Sequence, residues 1–297
     1  MKKYIFFALL LSAGRPDASE PPRAAGSHTP QTTPVSQVGG SGWNRLDGKK
    51  LKLRSTSALI VDSSGNEIYS KQPDIPLPIG SITKLLTVMV ILDAQLPLDE
   101  KIRITQQDRD LIRLTGSRLQ YGATLSRRSL LDLALMASEN RAASALARTY
   151  PGGSKQFIRA MNLKAAQLGM TSSRFTDPAG LDAGNVATPD DLVRMVSAAS
   201  RYPEIAEATT RLKMDVRPYA KRGPLTYGNT NRLLKNQAWD ISLSKTGYIN
   251  EAGRCLVMQA MVKGRKLTIV LLNSFGKLTP FGDANRVRKW IERGFSG

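Results

Sequence analysis

The chain has 297 residues, 41% hydrophobic and 23% charged, enough apolar material for one large globular domain or two small ones. It carries a formal charge of +19 with one cysteine and one histidine. Cys255 alone excludes an intramolecular disulfide, and His28 alone, in a Pro/Ser/Thr-rich leader, excludes a Ser-His-Asp triad, a Cys-His dyad and a histidine-bearing zinc site. No metal and no cofactor is expected. The basic residues are spread without a dense run or aromatic interleaving, so nucleic acid is not an expected partner. A polyanionic cell envelope suits such a charge better.

Met1-Lys2-Lys3 and the ten apolar residues from Tyr4 to Ala13 form a basic n-region and a short h-region, too short to span a bilayer. They predict a secretory signal over about 1–20 and hence an exported protein. Residues 21–47 are rich in Pro, Ser, Thr, Gly and Ala and predict a flexible leader, leaving 48–297 as the folded domain.

Ser57–Val61 and Glu67–Lys71, flanking Asp62-Ser-Ser-Gly-Asn66, predict a β-hairpin. Pro78-Ile79-Gly80 ends it, and Leu85 to Leu92, with Thr87 as its only polar residue, predicts a helix from Ser81 to about Ala94 buried on nearly all sides. Residues 99–125 give no clear element. A helix is predicted over Ser126–Ala137, interrupted by Ser138-Glu139-Asn140 and resuming from Arg141 to Tyr150. Another amphipathic helix over 154–168 ends at Gly169, and Thr176–Gly184 reads as a loop. Thr188-Pro189-Asp190-Asp191 has an N-cap hydroxyl, a first-turn proline and two acids, the start of a helix to about Ser200. The stretch 214–240 is ambiguous. Ile241–Ile249, Arg254–Lys263 and Lys266–Asn273 predict a three-strand meander, and Asp283 to about Gly294 a final helix. The two N-terminal strands join the three C-terminal ones in this reading. The expected fold is α+β: a five-stranded antiparallel sheet flanked by helices, with an all-helical lobe and a cleft between them.

Ser81 and Lys84 share one face of the first helix, where the dipole favours negative charge. A nucleophile with its amine base and a capping serine with a solvated lysine both fit that spacing. Two more Ser-x-x-Lys copies occur. Ser242 and Lys245 sit on a strand, where i and i+3 face opposite ways, and Ser274 falls in the expected loop before the last helix.

Three polar triplets follow in order: Ser81-Ile-Thr-Lys84, Ser138-Glu-Asn140 and Lys245-Thr-Gly247. This trio, on a helix, an inter-helix turn and a strand, resembles the serine D-Ala-D-Ala peptidases, the low-molecular-mass penicillin-binding proteins. Leu92–Glu100, Ser138–Ala143, Tyr150–Gly153 and Asp177–Leu181 resemble their endopeptidase branch, and no motif residue departs from the pattern. The resemblance covers about 48–297. It implies a penicillin-binding/β-lactamase-like fold, with Ser81 as nucleophile, Lys84 as base and Ser138 as relay to the leaving amine. It further implies that Asn140, Lys245, Thr246 and Gly247 bind substrate, with the backbone N–H groups of Ser81 and Tyr248 as oxyanion hole. Lys84 then needs a lowered pKa, from burial and from Lys245 as a neighbouring cation. Glu139, the alternative base, is expected to point away. A class A β-lactamase would place a deacylating Glu-x-x-Leu-Asn between the second and third motifs; Glu204 and Glu207 do not match it.

The implied function is a periplasmic endopeptidase cutting D-Ala-diaminopimelate crosslinks of peptidoglycan, with β-lactam antibiotics as covalent inhibitors and no stable membrane anchor. The alternatives are a D-Ala-D-Ala carboxypeptidase and a non-catalytic peptidoglycan-docking scaffold. An intact Ser-Lys pair disfavours the scaffold, which has no use for an activated hydroxyl.

Overall fold

The protein is represented by a computed structural model that describes residues 42–295. The predicted signal segment lies outside these residues. Five strands, β1 (Ser57–Asp62), β2 (Glu67–Lys71), β3 (Asp240–Ile249), β4 (Gly253–Val262) and β5 (Arg265–Ser274), make one antiparallel sheet in the order β2-β1-β5-β4-β3. The chain ends thus pair through β1 and β5, with Leu59 opposite Val270. β3 is left as an edge strand, which is where the site forms.

Both faces of the sheet are covered. Leu59, Val61, Val257, Val270 and Leu272 face one core, while Ala58, Ile60, Met258, Ile269 and Leu271 face the other. The period-2 alternation therefore separates two apolar sets, the physical reason these strands read as continuous hydrophobic runs.

The first core is built with six helices: α1 (Lys84–Asp93), α2 (Arg127–Met136), α3 (Asn140–Arg148), α4 (Gly153–Gln167), α5 (Pro189–Ala199) and α6 (Pro203–Thr210). Helix α1 runs through its centre, and every residue from Lys84 to Ile91 is buried. Ser126 caps α2 and Thr188 caps α5 through their side chains, as the capping patterns predict.

The second core lies under the last helix, α7 (Thr279–Gly294), with Val287, Trp290 and Ile291 facing inward. Its start differs from the predicted Asp283 by four residues. Asp283 looks like a cap in sequence, but its buried carboxylate accepts hydrogen bonds from Arg54 N, Ser55 N and Ser55 Oγ. Ser274, expected in a loop, is the buried last residue of β5, with its Oγ 2.8 Å from Ser55 Oγ.

Residues before 48 also take part in the packing. Trp43 and Leu46 are buried in the second core, and Trp43 packs edge-on to Phe295 at 5.3 Å. One tryptophan among Gly, Ser and Asn has no periodicity to reveal it, so residues 43–47 were expected in the leader. Helix α6 was not predicted either. It packs on β3 and α2 and positions the strand that carries the third motif.

Candidate active site

Four sequence-distant pieces meet beside β3. A 3-10 turn, Gly80–Thr83, carries Ser81 directly into α1, so Ser81 precedes the α-helix instead of starting it. Ser138 forms the turn between α2 and α3, with φ +59, a left-handed conformation costly for a residue with a Cβ. Lys245, Thr246 and Gly247 sit in the middle of β3. The fourth piece is the 176–185 loop.

Lys84 is wholly buried, and its Nζ has three neighbours: Ala179 O at 2.6 Å, Ser81 Oγ at 2.7 Å and Asn140 Oδ1 at 2.8 Å. The carbonyl and the amide oxygen only accept hydrogen bonds. They account for two N–H groups, so on the neutral amine the lone pair is left directed at Ser81 Oγ. Burial is the largest influence on Lys84 and lowers its pKa to about 7, against the opposing pull of Asp177, Glu139 and Asp110. The neighbouring-cation effect expected at Lys84 falls on the partner lysine instead. Lys245, equally enclosed, is pushed well below its ordinary value by burial first and by the charge of Lys84 second.

Lys245 Nζ donates to Ser138 Oγ at 2.9 Å and to Thr246 O at 3.0 Å. The site therefore holds two hydroxyl–amine pairs, Ser81–Lys84 and Ser138–Lys245, joined through the Ser138-Glu139-Asn140 turn. Asn140 is largely committed to the protein: its amide oxygen accepts from Lys84 and its Nδ2 donates to Thr115 Oγ1 at 3.1 Å. One N–H remains for a ligand. Glu139 points away from both pairs, as expected; its carboxylate accepts from Arg141 N and caps α3. Glu204 and Glu207 lie on α6, where Glu204 meets Arg128 and Glu207 meets Arg211.

Gly247 is required by the protein's own packing. A Cβ there would lie 2.3 Å from Ile79 O, so the turn before Ser81 could not seat against β3. The same ideal Cβ would stand 3.3 Å from Ser81 N, and one on Gly80 would stand 2.8 Å from Tyr248 N. Both candidate oxyanion amides thus border one glycine pair.

Several contributing residues were not found from sequence. The Asp177 carboxylate accepts from Ala179 N, Gly180 N, Leu181 N and Asp182 N, at 2.6 to 3.2 Å, and so shapes the loop that presents Ala179 O to Lys84. Asn185 Nδ2 ties that loop to Thr83 Oγ1, and Asn185 O accepts from Ile79 N. Asp110 folds the 110–115 loop by accepting from Ile112 N, Arg113 N, Thr115 N and Thr115 Oγ1, which places Thr115 against Asn140. Burial alone would raise Asp110, but these bonds outweigh it and hold its pKa below the ordinary value. The available signal was local: an Asp followed two to five residues on by a Gly or Thr, the mark of an Asx-type turn.

Ser81, Ser138, Asn140, Thr246, Gly247 and Tyr248 line a cavity of about 310 Å³. Lys84 and Lys245 reach it through the two serines. Past Tyr248 the cavity continues between Arg232, Arg254, Lys277 and Phe281, with no carboxylate in its lining. The Arg254 guanidinium lies 3.6 Å above the exposed Tyr248 ring. Cys255 is also at this wall; it is buried, and burial pushes its thiol up to about 12, so it acts as the small apolar residue expected.

Residues 45–276 match the D-alanyl-D-alanine carboxypeptidase family, peptidase S11. The chain belongs to this family. The chain is 46% identical over 244 residues to the D-alanyl-D-alanine endopeptidase of Pseudomonas aeruginosa, across 82% of this chain and 79% of that protein. It is 45% identical over 245 residues to the D-alanyl-D-alanine endopeptidase of Escherichia coli K12, with the same two coverages. The DD-transpeptidase of Streptomyces K15 shares the fold with a TM-score of 0.75 at 27% identity, covering 83% of this chain and 98% of that one. The predicted α+β penicillin-binding architecture is therefore correct, and the chain is a serine-type D-Ala-D-Ala peptidase. Among the described residues no helix is long and apolar enough to cross a membrane.

Proposed function

We propose that this peptidase hydrolyses the D-alanyl-to-diaminopimelate crosslinks of peptidoglycan in the periplasm, and that β-lactams acylate it at Ser81. The observation that carries the chemistry is the 2.7 Å contact between the buried Lys84 Nζ and Ser81 Oγ. Neutral Lys84 takes the Ser81 proton as Oγ bonds to the D-alanine carbonyl carbon. The N–H groups of Ser81 and Tyr248 stabilise the oxyanion. The carbon–nitrogen bond then breaks, and Lys84 passes its proton through Ser138, which Lys245 holds, to the bridging amine, which leaves neutral while Lys84 becomes neutral again. Water attacks the acyl ester as Lys84 takes its proton, the bond to Ser81 Oγ breaks, and Lys84 returns that proton to Ser81 Oγ. Thr246 and the remaining Asn140 N–H orient the donor stem along β3.

The leaving side supports an endopeptidase. The amine of the bridge sits on a carbon that bears a carboxylate, and a whole second stem follows it. Arg232, Arg254 and Lys277 supply uncompensated positive charge there, in a cavity open beyond Tyr248. The names of the two relatives at 46% and 45% identity point the same way. The family description favours a second reading, the carboxypeptidase, whose leaving D-alanine presents the same carboxylate without the bulk. Digestion of purified sacculi, resolved by chromatography, separates them. Loss of crosslinked dimers is expected. Loss of terminal D-alanine from pentapeptides while dimers persist would establish the carboxypeptidase.

A further inference from the structure

A cavity larger than that of the active site lies elsewhere on the molecule. It holds about 510 Å³ and lies between the segment 45–52 and the C-terminal half of α7. Six cations surround it, Arg45, Lys50 and Lys52 from the segment and Arg286, Lys289 and Arg293 from the helix, against the single carboxylate of Asp47. Its floor is apolar, made by Leu46, Leu51 and Trp290.

We propose that this groove is a second substrate site, which holds an anionic peptidoglycan strand away from the bond being cut. The inference rests on the peptidoglycan reading above and gives the substrate polymer a second point of attachment. Charge complementarity is the first argument. Arg286 pairs with Asp283, whereas Arg45, Lys50, Lys52, Lys289 and Arg293 have no carboxylate within ion-pair distance among the described residues. Lys289 and Arg293 also complement the negative end of the α7 dipole, whereas Arg45 and Lys50 end only single 3-10 turns of three residues and Lys52 lies in no helix. Six positive charges around one concavity are mutually repulsive and call for a ligand carrying several anionic groups. Stem peptides, with carboxylates repeated along a polymer, have that character.

Proximity to the active site along one helix is the second argument. Pro280 and Phe281, at the start of α7, line the cavity beyond Tyr248, and Arg286, Lys289 and Arg293 on the same helix line the groove. At 1.5 Å per residue the two ends of this path are about 18 Å apart. A crosslinked polymer is long enough to occupy both at once, and holding it at the groove raises its effective concentration at the site. A soluble dimer, which carries far fewer repeated anionic groups, gains much less from this.

The test is the triple variant Lys50→Glu/Lys289→Glu/Arg293→Glu, at exposed positions without ion pairs. Protein first blocked with penicillin is pelleted with purified sacculi, so binding is read without turnover. The variant should bind at least about tenfold more weakly at low salt, with the difference shrinking as salt rises. Crosslink cleavage in sacculi should fall by a similar factor, while cleavage of a soluble crosslinked dimer and labelling by fluorescent penicillin change less than about twofold. Unchanged pelleting would overturn the proposal, as would equal losses on sacculi and dimer. So would loss of binding only to vesicles of anionic phospholipid, which would make the groove a lipid site. If the wild type leaves dimers intact while removing terminal D-alanine, the endopeptidase reading fails, and the blocked-protein pelleting still decides the groove.

Discussion

Ser138 Oγ accepts a hydrogen bond from Lys245 Nζ at 2.9 Å while its backbone is held at φ +59. A residue with a Cβ pays roughly 1 kcal/mol for that conformation, whereas glycine adopts it freely. The strain is therefore tolerated for the hydroxyl. Ser138→Gly should keep or slightly raise the melting temperature while lowering turnover on a crosslinked dimer by about 10²-fold or more, as loss of a proton relay does. A calorimetric scan and a dimer digestion check the pair. Retained turnover would remove Ser138 from the proton path.

Ser81→Ala should abolish covalent labelling by fluorescent penicillin and leave the fold intact. Ser81 Oγ makes only its contacts with Lys84 Nζ and Ala179 O and caps no helix. Lys84→Arg should be nearly as inactive as Lys84→Ala. A guanidinium does not give up its proton in this pH range. Acylation within tenfold of wild type in the arginine variant would mean that Lys84 contributes charge and not base catalysis.

The motif residues were legible because each occupies a regular element with a strong local signature. Leu85–Leu92, following Pro78 and Gly80, reads as a buried helix, and β3 to β5 alternate across two cores. What places the motifs was less legible. Asp177 and Asn185 act by accepting backbone N–H groups within loops, a pattern common to most turns. Thr230, whose Oγ1 accepts from Thr246 Oγ1 at 2.7 Å, comes from a stretch whose short strands are set by tertiary pairing. Trp43 and helix α6 were missed for the same reason: their positions are decided by what they pack against.

Gly180 shows how tightly the 176–185 loop is fitted. Its φ is +75, and a Cβ on it would fall 1.9 Å from Gly80 O. Gly180→Ala should therefore shift the loop, withdraw Ala179 O from Lys84 and cost about 1–3 kcal/mol of stability from the φ strain alone. Penicillin acylation should drop further than stability does, since the Lys84 position depends on that carbonyl. Urea unfolding and acylation kinetics on the same preparation test this, and an unchanged acylation rate would show that the carbonyl is dispensable.

The last prediction concerns pH. Lys84 must be neutral to accept the Ser81 proton, and its pKa is lowered to about 7, chiefly by burial. Acylation should therefore rise with pH along a limb centred near 7. Glu139 opposes the lowering, and its carboxylate can be replaced without losing the cap, because a glutamine oxygen still accepts from Arg141 N. Glu139→Gln should move the limb to lower pH, so the variant gains on wild type most clearly at pH 6. Stability follows from the same shift. Unfolded Lys84 titrates near its ordinary 10.5, so between about 7 and 10.5 the unfolded chain binds more protons than the folded one. Folding is thus penalised fully below about 7, and the penalty fades as pH rises towards 10.5. Lys84→Met removes this dependence, and by removing the Lys84 charge it also lessens the lowering of Lys245, which acts in the same direction. The stability of the methionine variant relative to wild type should be most favourable at pH 6 and decline by pH 9. Urea unfolding at both values measures it. A constant difference would show that Lys84 is not held neutral by burial, and the lone-pair geometry at Ser81 would then not describe the working enzyme.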